Sequence, residues 1–265
     1  MSTLAVNIKR KVYGRGEAGR LAIAGLKFEV REGELLCLLG PSGAGKTTTL
    51  NIIAGLDTGF EGEVRFSDAK AHRLSYLFQE PRLLPWRTMI ENVALPLKGG
   101  PEAQRIAATW LDRVGLKGCH DLYPTQASAG MQRRAAIARA FAYGPTILLM
   151  DEPFVSLDEK SAAELRSLFA GLWRAESVTT LFVTHNVAEA AEIATRVLIY
   201  SACPATIAAD IEAPARKGSA NVQEAEQILR RALKIAGAAD TLASGRNNAG
   251  PQPLRTGQSG AASGT

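Results

Sequence analysis

The chain has no long apolar run, few cysteines and histidines, and no block of like charge, and each shortage removes a class of protein. No uninterrupted apolar stretch approaches the roughly 18 to 20 residues of a bilayer-spanning helix. The first residues lack the charged-then-apolar pattern of a secretion signal, so the cytosol is the expected location. The three cysteines, Cys37, Cys119 and Cys203, lie far apart and without metal-ligand spacing. That spacing points away from a disulfide framework and toward reduced thiols, with Cys37 a core residue. His72 and His120 have no motif around them and read as surface residues. The net charge is +5, but the basic residues are scattered apart from Lys9-Arg10-Lys11 and Arg133-Arg134. A solvated basic face fits that spread better than a nucleic-acid surface, and no nucleic-acid partner is expected.

What is present is ordinary globular composition, 265 residues with 46% hydrophobic and 22% charged, enough for one large core or two modest ones. Within it Gly40, Pro41, Ser42, Gly43, Ala44, Gly45, Lys46 and Thr47 complete a GxxxxGK[ST] loop directly after the apolar run Leu35 to Leu39. Each part has its own task on a nucleoside triphosphate. Glycine-opened backbone N–H groups cradle phosphates, Lys46 neutralises their charge, and the Thr47 hydroxyl can ligate Mg²⁺. The following residues read as a helix that ends at Gly55, which places the phosphates at a helix N-terminus. A glycine-rich turn that binds nothing is a poor account of eight correct positions in that context. The loop alone does not choose between kinase, GTPase, motor and transporter ATPase.

Further short apolar runs at Leu74–Phe78, Ile147–Met150, Thr180–Val183 and Val197–Tyr200 have the length and continuity of strands buried on both faces. Helical patterns at Asp158–Ala175 and Val187–Ala194 separate the later ones, which predicts a parallel α/β sheet. The first 32 or so residues alternate as half-exposed antiparallel strands, continued by Gly62–Phe66. Between about Trp86 and Tyr143 the chain turns helical, with Ile106, Trp110, Leu111 and Val114 on one side of a helix over Glu102–Val114. Val222 to Ile235 keeps helical spacing, and from Gly237 onward the composition predicts a disordered tail.

Ile147-Leu-Leu-Met-Asp151-Glu152-Pro153 puts two carboxylates at the end of a buried strand. One can hold Mg²⁺ while the next orients or deprotonates a water. An isolated Asp-Glu would read as a helix cap or a solvated turn, but the preceding phosphate loop reverses those odds. Together with Gln79, Ser128-Ala-Gly-Met-Gln132, Ser156-Leu-Asp158 and His185, the chain resembles the ATP-binding subunits of ABC transporters from about Val6 to Ala209. No other phosphate-loop family is known for the full set. Tyr76-Leu-Phe-Gln-Glu-Pro-Arg-Leu-Leu-Pro-Trp86 and Met150-Asp-Glu-Pro-Phe154 are similar to the nitrate, sulfonate and taurine importer group.

The resemblance implies a P-loop NTPase (RecA-like) α/β core with an N-terminal antiparallel β subdomain and an inserted α-helical subdomain. The ATPase domain would cover residues 1–212, with β and core parts to about 85, the insertion over about 86–143 and core again over 144–212. A helical extension over 213–236 and a tail over 237–265 would follow. Tyr13 would stack on adenine, with an ordinary strand-end tyrosine as the competing reading. Gly40 to Thr48 would hold the phosphates, with Thr47, Asp151 and Gln79 on Mg²⁺. Gln79 would also sense the attacking water and the membrane partner. Glu152, His185, Gln79 and Lys46 would carry the hydrolysis of ATP. Ser128 and Gly130 would bind the γ-phosphate of a second copy's ATP, and Asp158 would bridge the two copies, cap a helix, or both.

The implied protein is an ATPase that drives import of a small solute through transmembrane permease subunits, fed indirectly by a solute-binding protein. It would lie at the cytoplasmic face of the inner membrane. A soluble ABC-type ATPase and a nucleotide-gated assembly subunit with weak hydrolysis are the alternatives. Trp86 would either touch the permease or pack inside the helical insertion. Two positions depart from the family pattern. Ala127 and Ala129 stand where leucine and glycine are common, and a methyl at Ala129 would crowd the phosphate or cost ~1 to 2 kcal/mol in a left-handed backbone. Asn186 stands where the importer group usually has aspartate.

Overall fold

A computed structural model describes residues 2–14, 19–67, 72–212 and 219–245. Six strands form the central sheet in the order β5-β6-β7-β3-β8-β9, namely Leu74–Leu77, Ile147–Asp151, Thr179–Thr184, Leu35–Leu39, Arg196–Tyr200 and Ile207–Glu212. The first five pair in parallel. Every residue of β3, β6 and β7 is buried, the outcome expected of continuous apolar runs covered on both faces.

The last strand, β9, runs antiparallel to β8 and has no counterpart in the sequence reading. Its sequence Ile-Ala-Ala-Asp-Ile-Glu is short and only partly alternating, a weak signal for an edge strand. The Arg196 guanidinium fastens it with a two-pronged contact to Asp210, at 2.7 and 2.6 Å.

A second, antiparallel sheet has the order β2-β1-β4, from Arg20–Arg31, Ser2–Tyr13 and Glu61–Phe66. The pleat of β3 shows how the layers meet. Leu36 and Leu38 face the antiparallel sheet, packing with Leu26 and Leu50, while Cys37 and Leu39 face the helices and Phe182. Each such leucine contributes about 1.5–3 kcal/mol by leaving water.

Helix α1, Lys46–Ile53, follows β3 directly. Between β5 and β6 lie α2, Met89–Ala94, α3, Gly100–Arg113, and α4, Ala129–Ala142. A capping box between Thr88 and Glu91 starts α2, and the Ser128 side chain starts α4 by accepting the Met131 N–H at 3.2 Å. Helix α5, Glu159–Glu176, is capped by Asp158, which accepts the Ser161 N–H at 3.0 Å. Helix α6, Val187–Ile193, is capped by Asn186.

The last helix, α7, spans Ser219–Gly245 and so runs past Gly237, where composition alone had the order end. Alanines at 238, 239 and 243 carry it, since helix propensity needs no large apolar side chain. Leu229 and Ala225 are buried on the rest of the molecule. Residues 213–218 and 246–265, covering parts of the expected extension and tail, lie outside the described residues.

Other expectations change as well. His72 and His120 are half-buried, with His72 stacked on Phe66 at 4.1 Å and His120 Nε2 2.8 Å from Asp112 Oδ1. Lys11 is not part of a basic face. A register shift between Ile8 and Arg10 breaks the strand alternation and turns it inward, where it donates to Asp57 at 2.5 Å and to the Gly59 carbonyl at 2.9 Å.

Candidate nucleotide site

The phosphate loop leaves β3 at its C-terminal end, where sheets of this kind bind ligands. Two of its glycines are dictated by geometry. At Gly45, φ is +82° and a Cβ would press on the Ala22 carbonyl at 3.3 Å; at Gly40 a Cβ would lie 3.0 Å from Tyr200 Cβ. Lys46 Nζ donates to the carbonyls of Gly40 and Pro41 at 2.9 and 2.8 Å, so the ammonium lies beneath the loop. Burial lowers the Lys46 pKa, while the carboxylates of Glu152 and Asp151 oppose that shift.

Beside the loop is a cleft of about 470 Å³. Tyr13, Ser42, Gly43, Gly45, Lys46, Thr47 and Thr48 line one part of it, and Gln79 and Glu152 another. Four of the stretches singled out from the sequence thus converge on one cavity. Gly40, Pro41 and Ala44 do not line the cleft; Ala44 is buried in the core behind it.

Tyr13 is 44% exposed, held by its hydroxyl rather than packed away. Its hydroxyl donates to Asp57 Oδ2 at 3.1 Å and lies 3.2 Å from Thr48 Oγ1, and Lys11 Nζ sits 4.5 Å from the ring centre. A positioned aromatic with a free face can stack a base.

Asp151 ends β6 with its side chain buried, accepting the Thr47 hydroxyl at 3.0 Å. Burial raises its pKa, with Glu152 adding to the rise while Thr47 and Lys46 oppose it. A hydroxyl and a carboxylate at this spacing, with Gln79 on the same cleft as Thr47, form a hard-oxygen donor set of the kind Mg²⁺ takes.

Glu152 has φ +44°, a left-handed backbone that non-glycine residues seldom adopt and that costs of order 1–3 kcal/mol. Its N–H donates to the Val183 carbonyl at 3.0 Å, and its Oε1 lies 3.2 Å from His185 Nδ1. His185 follows β7 and is itself framed. The Asn186 N–H donates to Thr184 Oγ1 at 3.0 Å, and the Thr184 hydroxyl donates to the buried Glu189 at 2.6 Å.

Ser128, Gly130 and Asp158 do not line this cleft. Ser128 and Asp158 start helices, and Ala129 is the first residue of α4. Among the described residues the left-handed ones other than glycine are Arg82, Glu152, Ser156 and Ser177, so the backbone strain considered for Ala129 does not arise. Trp86 is 70% exposed, which overturns its packing inside the helical insertion. Arg20, Ala22 and Cys203 also line the cleft and were not read from the sequence. Arg20 pairs with Tyr13 across the first hairpin, so the strand register carries its signal; Cys203, in a connection after β8, has none.

A phosphate loop with a buried carboxylate and a glutamate–histidine pair at one sheet edge defines a phosphate-loop NTPase. Comparison with known proteins narrows the class: residues 23–155 match the ABC transporter family. An uncharacterised ABC transporter ATP-binding protein of Methanocaldococcus jannaschii is 42% identical over 226 residues, 80% of this chain and 84% of its own. An aliphatic sulfonates import ATP-binding protein of Bacillus cereus is 34% identical over 249 residues, 90% of this chain and 99% of its own. A solved ATP-binding cassette, dimeric in a post-hydrolysis state with ADP and Pi, superposes with a TM-score of 0.70 at 30% identity. It covers 80% of this chain and 100% of that one. The chain belongs to the ABC transporter family, as an ATP-binding subunit.

Proposed function

We propose that the chain hydrolyses ATP as one half of a head-to-tail dimer, and that dimer closure and reopening drive import of an aliphatic sulfonate through membrane permease subunits. The observation that carries the chemistry is the Glu152–His185 contact at 3.2 Å, set beside the cleft that also takes in Lys46, Thr47 and Gln79. Glu152 accepts the proton of the attacking water, and His185 holds the carboxylate in place and faces the γ-phosphate. Lys46 leaves the Gly40 and Pro41 carbonyls for the phosphate oxygens as the nucleotide enters. Mg²⁺, held by Thr47, Asp151 and Gln79, would neutralise charge developing on the β- and γ-phosphates.

Ser128 and the N–H groups at the start of α4 reach the nucleotide of the opposite copy, a reading supported by their lying outside the cleft of their own chain. Exposed Trp86, with the loop that begins at Gln79, meets the permease at the cytoplasmic face of the membrane. None of the described helices is long and apolar enough to cross a membrane, so the chain itself would attach peripherally. The solute class rests on likeness to sulfonate-import relatives at 34–38% identity. Phosphate release by the purified chain tests the hydrolysis. Uptake of labelled alkanesulfonate, taurine and nitrate by vesicles carrying the full transporter tests the solute, with sulfonate uptake lost in Glu152→Gln as the expected result.

A further inference from the structure

Arg133 stands in the second turn of α4, five residues after Ser128, and its guanidinium reaches three backbone carbonyls from two separate loops. Nη1 donates to the Gln79 carbonyl at 3.1 Å and to the Pro153 carbonyl at 2.7 Å, and Nη2 donates to the Val155 carbonyl. A planar cation with several fixed donors suits such a fork, whereas an ammonium cannot span it. The three acceptors are well placed for control of the reaction. Gln79 lines the nucleotide cleft; Pro153 immediately follows Glu152; Val155 immediately precedes Ser156, and Asp158 lies two residues further on.

The segment that Arg133 grips is bracketed by two left-handed residues, Glu152 at φ +44° and Ser156 at φ +66°. Neither is glycine, so the segment keeps this shape only if its surroundings hold it there. The Val155 N–H returns to the Glu152 carbonyl at 3.3 Å, the Glu152 N–H holds the Val183 carbonyl, and Phe154, 2% exposed, packs on Phe169 and Phe182, so the segment is fixed to the sheet and core. Arg133 adds its tie to α4. A second arginine of the same helix, Arg139, grips the first loop alone, donating to the Pro81 and Arg82 carbonyls at 2.7 and 2.8 Å.

We infer that Arg133 is a positioning residue that ties the Gln79 loop and the Glu152–Asp158 segment to α4, so that both loops move with the helix whose N-terminus carries Ser128. A shift of α4, whether imposed by a permease at the helical insertion or by a partner's nucleotide at Ser128, then repositions Glu152 and Gln79 together. This inference rests on the proposed ATPase reading for its consequence in turnover, but the mechanical tie can be measured without it.

Backbone nitrogen-15 relaxation on the full chain reads the tie directly. Arg133→Ala is expected to lower the order parameters from about 0.85 toward about 0.6 in both Gln79–Arg82 and Phe154–Asp158. Arg139→Ala should lower them in the first segment alone. Arg133→Lys, the milder change should the alanine variant not fold, should show the same two-segment pattern at smaller size. Unchanged order parameters in either segment of a folded Arg133 variant overturn the inference. In steady-state kinetics Arg133→Ala should lower kcat by about 10- to 100-fold, as small misplacements of reacting groups do, while ATP affinity changes less than about threefold. Partial recovery in Arg133→Lys supports the inference, and a kcat unaltered by Arg133→Ala contradicts it. A wild-type chain with no turnover at all would count against the ATPase reading, and relaxation would still decide whether Arg133 joins the loops.

Discussion

Asp151 and Lys46 show how single residues trade stability for chemistry. Burial raises the Asp151 pKa above its unfolded value, so from the ordinary aspartate range upward the folded state keeps a proton that the unfolded chain has lost. The contribution of this group to stability therefore falls as pH rises through that window. Lys46 is shifted the other way, and between its lowered folded pKa and its unfolded value the unfolded chain binds the extra proton. Its contribution rises as pH rises there. In both groups burial works against the charged form. Asp151→Asn, which can keep the Thr47 contact, should gain on the order of 1 kcal/mol at pH 7, or about 2–4 °C in Tm. A melting scan against pH would show that gain shrinking toward acid, and Mg²⁺-dependent ATP binding should weaken in the same variant. Glu152→Gln should leave ATP binding intact and lower turnover by ~10² to 10⁴-fold in a phosphate-release assay. The residues that act on phosphate and water were legible because motif spacing constrains them. Lys11 was not, because its burial depends on a strand register and on Asp57, 46 positions away.

At the scale of elements, buried strands and capped helices were the readable part. Continuous apolar runs gave β3, β6 and β7, and Asp158 marked the start of α5 by a side chain that needs no tertiary partner. Edge strand β9 and the length of α7 were less legible, since a short, partly alternating run and an alanine-rich tail satisfy more than one pattern. The packing of α7 is testable through Leu229, which is 2% exposed. Leu229→Ala should cost about 2–5 kcal/mol in denaturant unfolding, the usual range for a buried leucine. Ala129 sits in right-handed backbone at the start of α4, so under the proposed shared site only its methyl, and not its backbone, would stand in the way of a partner's phosphate. Ala129→Gly should raise ATP turnover while costing about 0.5–1 kcal/mol of helix stability, and parallel kinetics and melting would separate the two effects.

At the scale of the whole molecule, the cleft of one chain brings together Tyr13, the phosphate loop, Gln79 and Glu152 but not Ser128 or Gly130. The central claim is that a second copy supplies the missing wall, with the two nucleotides shared across the interface. Mixing two inactive variants tests this most directly. Lys46→Ala disables the phosphate loop, and Ser128→Arg disables the segment offered to a partner. Each homodimer would lack a working site. A mixed dimer would combine the sound phosphate loop of one copy with the sound Ser128 of the other. Shared sites predict that ATP hydrolysis returns on mixing, up to about a quarter of the wild-type rate for random pairing in equal amounts. Hydrolysis that stays absent on mixing, although both variants fold and the mixed dimers form, would contradict the account.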